Sequence, residues 1–259
     1  MILDDITAST KIRLESAKKE IPFSEIRRMA ESIPAGNDFP FRKALSKNGL
    51  SFICEVKKGS PSKGIISEDF RYLEIARKYE EMGADAISVL TEPDYFKGSN
   101  KYLSEIHKTV KTPLLRKDFT IDEYMIYNAK ILGASAILLI CSILELPRLK
   151  EYLEIAHSLG LSALVETHSE YEIENALESG AEIIGVNNRN LKTFNVDIST
   201  SENLRKYVPD NKIFVSESGI HSADDIQRMK NIKADAVLIG EAFMRTENPA
   251  ELLKKFKGN

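Results

Sequence analysis

Residues 83–92 read GADAISVLTE. The glycine follows an amphipathic stretch, Phe70 to Met82, and precedes a short apolar run. Glycine placed directly after a helix takes the left-handed conformation that stops the helix and frees the chain to enter a strand. The same tripeptide returns as Gly133-Ala134-Ser135 and Gly180-Ala181-Glu182, and Lys233-Ala234-Asp235 is a fourth copy without its glycine. Successive copies lie about 50 residues apart, so each marks a helix-to-strand junction at a regular interval.

A second series of apolar runs alternates with these junctions. SFICEVK (51–57) precedes the first copy, and PLLRKDF (113–119), SALVET (162–167) and KIFVSES (212–218) fall between the others. The runs that follow the copies are AISVLTE (86–92), AILLIC (136–141), EIIGVNN (182–188) and AVLIGEA (236–242). Helical patterns separate them, including Asp122 to Leu132, Pro147 to Leu159, Glu170 to Ser179 and Ser222 to Lys230. Eight strand–helix units of about 25 residues each predict an α/β fold, a (β/α)8 TIM barrel. A doubly wound open sheet is the alternative, but no G-x-G-x-x-G follows the first run. The eight units occupy residues 50–259. Residues 1–49 carry their own helical patterns, roughly Ile2 to Lys19, Ser24 to Glu31 and Phe41 to Lys47, and read as an N-terminal helical extension on a single barrel domain.

Composition narrows the function classes. Hydrophobic residues are 42% and charged residues 29% of the 259, which fits a soluble globular chain and excludes a disordered one. Lys and Arg number 36 against 39 Asp and Glu, a net charge of −3 that argues against nucleic acid or an anionic membrane as partner. The longest apolar stretch, around Ala136 to Cys141, is too short to span a bilayer, and the first residues show no signal-peptide pattern. Cys54 and Cys141 both lie in apolar runs, so they read as core residues of a protein in a reducing cytoplasm. The four histidines show no metal-ligand spacing, and no metal is expected.

Active sites of such barrels form at the C-terminal ends of the strands, and here those ends are polar. Side chains alternate along a strand, so Glu55 and Lys57 share one face of the first, while Cys54 and Val56 face the helices. Lys117 shares a face with Leu115, Glu166 with Leu164, and Arg189 with Asn187. Each charge alone reads more readily as a solvated rim residue. As a set on five or six strands they predict mutually neutralising lysines and carboxylates around one cavity, a candidate acid–base site. Gly219 after the seventh run and Gly240 at the end of the eighth allow close backbone approach, and a short helix starting near Glu241 would point its positive end at a phosphate. The basic stretch KKGSPSKGIIS (57–67) has the length and composition of a lid, with Lys58, Ser60, Ser62 and Lys63 able to cover an anion.

In order along the chain, EVKKGSPSKG, SVLTEPDYFKGS, LLRKDF, ALVETH, GVNNRNLKTFNVD, SESGI and LIGEAFM resemble the indole-3-glycerol-phosphate synthase family of tryptophan biosynthesis, as does the FPFRKAL segment of the extension. The resemblance implies a lyase acting on 1-(2-carboxyphenylamino)-1-deoxyribulose 5-phosphate, releasing indole-3-glycerol phosphate, CO2 and water without cofactor or metal. It implies Lys117 as the general acid of ring closure and Glu166 as the acid–base group of dehydration. Lys57 would bind substrate and assist proton transfer, and Glu55 would hold and tune the lysines. Asn187 and Arg189 would orient the intermediate. Glu217 and Ser218 would line the pocket, Ser60 would lie in the covering loop, and Phe96 and Phe119 would grip the aromatic ring. Gly219, Gly240 and Glu241 would give backbone donors to the phosphate. Two positions depart from the family's usual pattern: Gly59, where the first loop is expected to gain mobility, and Asn190. A monomer, alone or associated with other tryptophan-pathway enzymes, is compatible with the resemblance. A phosphosugar isomerase and a catalytically idle phosphate-binding barrel are the competing readings.

Overall fold

The computed structural model describes residues 2–61, 63–67, 69–190 and 193–258. Eight strands, β1 (Ser51–Val56), β4 (Ala86–Leu90), β5 (Leu114–Lys117), β6 (Ala136–Ile140), β7 (Ser162–Thr167), β8 (Ile183–Asn187), β9 (Ile213–Glu217) and β10 (Ala236–Ile239), pair in parallel and in sequence order. The ring closes where Ser51 of β1 meets Ala236 of β10. This is the expected TIM barrel. Outside it stand α4 (Tyr72–Glu81), α5 (Asn100–His107), α6 (Glu123–Ile131), α7 (Leu146–Ser158), α8 (Glu170–Glu178), α9 (Ser199–Leu204), α10 (Ala223–Asn231), α11 (Glu241–Arg245) and α12 (Pro249–Lys257). Among the described residues no helix is long and apolar enough to cross a membrane.

The repeat that sets the period has a hydrogen-bonding cause. Gly83, Gly133 and Gly180 take φ of +80°, +84° and +88°, and Lys233 takes +55° without glycine's freedom. The alanine that follows each donates its N–H back into the preceding helix: Ala84 to Tyr79 O, Ala134 to Ala129 O, Ala181 to Ala176 O and Ala234 to Met229 O. The third residue then hooks the new strand to the old one. The N–H groups of Asp85 and Asp235 donate to the carbonyls of Phe52 and Phe214 at 3.0 Å, and their carboxylates accept the N–H groups of those same residues at 2.9 and 2.8 Å.

Alternation divides the core in two. Inside the barrel lie Ile53, Leu115, Leu138, Leu164, Ile183, Val215 and Leu238, and between strands and helices lie Phe52, Cys54, Val56, Val89, Ile137, Val165 and Phe214. Cys54 is therefore an outer-layer packing residue. The extension closes both ends of this cylinder. Phe41 and Leu45 of α3 (Pro40–Leu45), both fully buried, complete the inner cluster and plug the N-terminal end. The first turns of α1 (Ile2–Glu20) lie over the other end, and Lys18 pairs with Asp122 at 2.9 Å. Between them α2 (Phe23–Glu31) packs Ile26 and Ala30 into the outer layer.

The loop after β1, whose length and composition suit a lid, carries regular pairing within it. It folds into a two-residue hairpin, β2 (Gly59–Ser60) against β3 (Gly64–Ile65), with Ile66 N–H donating to Lys58 O at 2.8 Å. A Cβ at Gly59 would lie 2.8 Å from Gly64 O across that hairpin, so this glycine permits a close strand approach.

Candidate active site

The candidate residues at the strand ends, with Ser60, Phe96 and Phe119, line one cavity of about 970 Å3, open to solvent, at the C-terminal end of the barrel, whereas Lys58 and Lys63 of the covering loop do not line it. Ser62 of the covering loop lies outside the described residues. β1 brings Glu55 into the barrel and Lys57 just past it, β5 ends on Lys117, β7 carries Glu166, β8 ends on Asn187, and β9 ends on Glu217.

The charges pair. Lys117 Nζ lies 3.3 Å from Glu217 Oε2 and 3.6 Å from Glu166 Oε2, and Lys57 Nζ lies 3.3 Å from Glu55 Oε1. All three carboxylates are buried. Burial disfavours the Lys117 ammonium, but Glu217, Glu166 and Glu55 outweigh it and hold the group well above the ordinary lysine range. For Glu55 burial pushes up, and Lys57 and Lys117 more than offset it, so the carboxyl is lowered. Glu217 goes the other way. Burial raises it, Lys117 pulls it down, and Glu166 and Glu55 raise it again, leaving it pushed up to about 7. Neither Glu217 oxygen accepts a hydrogen bond among the described residues. The site thus holds a firmly cationic lysine beside a carboxyl that exchanges its proton near neutral pH, the separation that acid–base chemistry uses.

Two glycines make room for these carboxylates. A Cβ at Gly185 would come 2.3 Å from Glu217 Oε1, and one at Gly240 would come 2.6 Å from Glu55 Oε1. Gly240 therefore has a packing role beside the phosphate role expected of it. Gly219 has φ +83°, and a Cβ there would press on Val196 at 2.7 Å. Ser218 before it is also left-handed, at φ +66°, a conformation that costs a non-glycine residue about 1 kcal/mol or more. Asn188 holds that turn by donating from Nδ2 to Ser218 O at 3.0 Å, while its Oδ1 accepts from Ser201 N–H and Oγ–H. The Glu241 carboxylate turns to Arg245 at 3.0 Å and Lys63 at 3.6 Å, so only its backbone is suited to meet an anion.

The other wall is apolar. The Phe96 and Phe119 rings lie 5.9 Å apart between centroids, and Lys57 Nζ sits 5.7 Å from the Phe96 centroid. Ile2, Leu3 and Ile6 of α1, with Pro61 and Phe194, extend this wall into a small side cavity. The buried Glu92 carboxylate sets Phe96 in place by accepting the N–H groups of Asp94, Tyr95 and Phe96 at 2.8–3.0 Å. Arg13 of α1 reaches Glu92 at 3.4 Å and Asp94 at 3.3 Å, which fastens the extension to this loop. Arg189 donates from Nη1 to Phe194 O at 3.2 Å and is positioned by the Asn187 side chain, which accepts its N–H at 3.0 Å. Asn190 caps the same loop by accepting Thr193 N–H at 3.1 Å. Among the described residues no group of three or more His, Cys, Asp or Glu is placed to hold a metal.

A family model described as indole-3-glycerol phosphate synthase matches residues 3–256. The chain belongs to the indole-3-glycerol phosphate synthase family. Curated family members of that name include those of Endomicrobium trichonymphae, 57% identical over 257 residues (99% of this chain and 100% of that one), and Ruminiclostridium cellulolyticum, 55% identical over 259 residues and the whole of both chains. Among solved structures, 3-hexulose-6-phosphate synthase from Salmonella typhimurium has a TM-score of 0.66 at 14% identity, over 81% of this chain and 97% of that one. Thiamine phosphate pyrophosphorylase from Pyrococcus furiosus has a TM-score of 0.60 at 16% identity, over 81% and 94%. At such identities these likenesses speak only to the barrel.

Sequence reasoning passes over Glu92 and Asn188, which hold the loops around this family member's site. Glu92 and Asn188 stand at strand ends already marked as polar, and their inward turn toward backbone groups depends on loop geometry that spacing does not carry.

Proposed function

We propose that the chain converts 1-(2-carboxyphenylamino)-1-deoxyribulose 5-phosphate to indole-3-glycerol phosphate, CO2 and water. The observation that carries this reading is the Lys117 ammonium seated between Glu217 and Glu166, facing an apolar wall of Phe96 and Phe119. The aromatic carbon bearing the carboxylate attacks the C2′ carbonyl, and the carbonyl oxygen gains charge. Lys117, held cationic by its carboxylates, neutralises that oxygen and gives it a proton. Loss of CO2 then restores the aromatic ring. A ring resting against the wall of Phe96 and Phe119 leaves its carboxylate beside apolar groups, which favours the neutral product. Departure of the hydroxyl as water needs a proton from an ammonium and a base for the C1′ proton. Lys117 or Lys57 supplies the first, and Glu166 is the base. Glu55 keeps Lys57 in place, Asn187, Arg189 and Ser218 orient the intermediate, and Ser60 closes over it. The phosphate takes the backbone N–H groups of Gly219, Gly240 and Glu241.

The setting that suits this reaction is the cytoplasm, and a monomer acting alone or beside the enzymes before and after it in tryptophan synthesis is compatible with it. The test is a fluorescence time course with the carboxyphenylamino-deoxyribulose phosphate in the absence of metal. Indole emission should rise in proportion to enzyme and be lost in Lys117→Ala. Substrate binding without turnover would point to an idle barrel, and neither binding nor turnover to a phosphosugar isomerase.

A further inference from the structure

His168 stands two residues beyond Glu166, and strand alternation turns it to the same side. Its Nε2 lies 3.5 Å from Glu166 Oε1, while the other oxygen of that carboxylate faces Lys117 at 3.6 Å. The opposite ring nitrogen, Nδ1, lies 3.2 Å from Glu172 Oε2 in the first turn of α8. That oxygen also accepts the His168 backbone N–H at 2.7 Å, and Ser142 donates its hydroxyl to Glu172 Oε1 at 2.8 Å. Glu172, His168, Glu166 and Lys117 thus form a row running from the barrel's outer edge to the cavity, which His168 itself does not line.

The row has a consequence for the proton. A neutral imidazole that donates from Nδ1 to Glu172 would turn the lone pair of Nε2 toward a carboxylate oxygen, two acceptors facing each other. Nε2 is buried and makes no hydrogen bond among the described residues, so its 3.5 Å approach to Glu166 Oε1 is a contact of charge. The contact is favourable only when a proton lies between Nε2 and Oε1.

We propose that His168 is a positioning residue for the reaction: held by Glu172 and Ser142, its imidazolium pairs with the Glu166 carboxylate and fixes that group against Lys117. The inference rests on the synthase reading of the site. The groups facing the ring are Glu166 from β7, Glu172 from α8, Glu217 from β9, and Ser142 from the turn after β6. Cys141 in the same turn is pushed up to about 12, chiefly by burial, and stays a neutral thiol. Burial disfavours the imidazolium, but the hydrogen bond to Glu172 and the charges of Glu166, Glu172 and Glu217 outweigh it, so His168 is raised above the ordinary histidine value. A carboxylate that loses a neighbouring cation takes up a proton more readily.

Two readouts test this. Proton NMR titration of the four histidines should give His168 a midpoint above about 6.5, lowered in Glu166→Gln. This readout needs no turnover. In the indole fluorescence assay, His168→Asn should lower kcat about tenfold or more with little change in KM. The acid limb of its kcat profile should move up by about one pH unit. Glu172→Gln should shift the limb the same way by less. If His168→Asn does not fold, Glu172→Gln and the NMR comparison decide. An unshifted His168 titration, or variants that lose only thermal stability and keep the wild-type pH profile, would overturn the role. Absence of turnover in the wild type would instead overturn the synthase reading and leave the titration result standing.

Discussion

Replacing Glu217 by Gln should make the protein more stable and less active, with a gain that depends on pH. The unfolded chain ionises this carboxyl near 4.5, whereas the folded chain keeps its proton until about 7. Between those values the folded state binds more protons, so the contribution of Glu217 to stability falls as pH rises. One pKa unit is worth about 1.4 kcal/mol, so the full cost of the ionised, buried carboxylate approaches about 3 kcal/mol. Gln keeps the shape of the protonated acid and escapes that cost. Glu217→Gln should therefore gain about 1 kcal/mol at pH 5 and about 3 kcal/mol at pH 8. Urea unfolding followed by circular dichroism at the two pH values measures this difference. Indole fluorescence should show that the same variant has lost turnover by about a hundredfold, because the proton-exchanging partner of Lys117 is gone. A variant that is destabilised at pH 8, or whose gain is the same at both pH values, would refute the view that burial, with the charges of Glu166 and Glu55, raises Glu217.

Other substitutions probe the same structure from different sides. Gly185→Ala would place a methyl 2.3 Å from Glu217 Oε1 and 3.1 Å from Leu164 Cδ1. It should cost about 1–3 kcal/mol in thermal unfolding through overpacking, and kcat should drop because Glu217 is pushed from Lys117; unchanged kcat would remove Gly185 from the support of the site. Lys233→Gly should raise stability by about 1 kcal/mol in the same urea assay, since φ +55° strains lysine and suits glycine. A loss of stability would mean that the lysine side chain outweighs its backbone strain. Glu92→Ala should raise KM more than it lowers kcat, because three backbone N–H groups that set the Phe96 loop lose their acceptor; a pure kcat effect would contradict that role.

The barrel was legible because its signal is written many times. Each Gly-Ala junction reports a helix end and a strand start together, and the copy at Lys233 could be read without its glycine because the spacing and the alanine remained. The inward set of Glu55, Lys57, Lys117, Glu166 and Arg189 followed from alternation, a property of the backbone that no tertiary contact overrides within a straight strand, whereas Glu217 came only with the family resemblance. Alternation also carried a signal that went unused: His168 has the parity of Glu166. The β2–β3 hairpin was hidden because KKGSPSKGIIS has the composition of an open loop, and its pairing depends on a close approach at Gly59 that only the folded register reveals. Glu92 was hidden for a similar reason. Its carboxylate serves the backbone of the next residues instead of the cavity, and a carboxylate at a strand end suits either use.

The extension that stops both ends of the cylinder also sets a difference between the order of synthesis and the order of folding. Residues 2–45 leave the ribosome before the barrel strands, yet most of what they hold comes later: Asp94 for α1, the α6 helix for α2, and the inner residues of the barrel for Phe41 and Leu45. Until those strands exist, a helix bearing two bulky apolar side chains has no place to hide them. The segment can dock only once those strands have formed, as a closing step instead of a seed for the core.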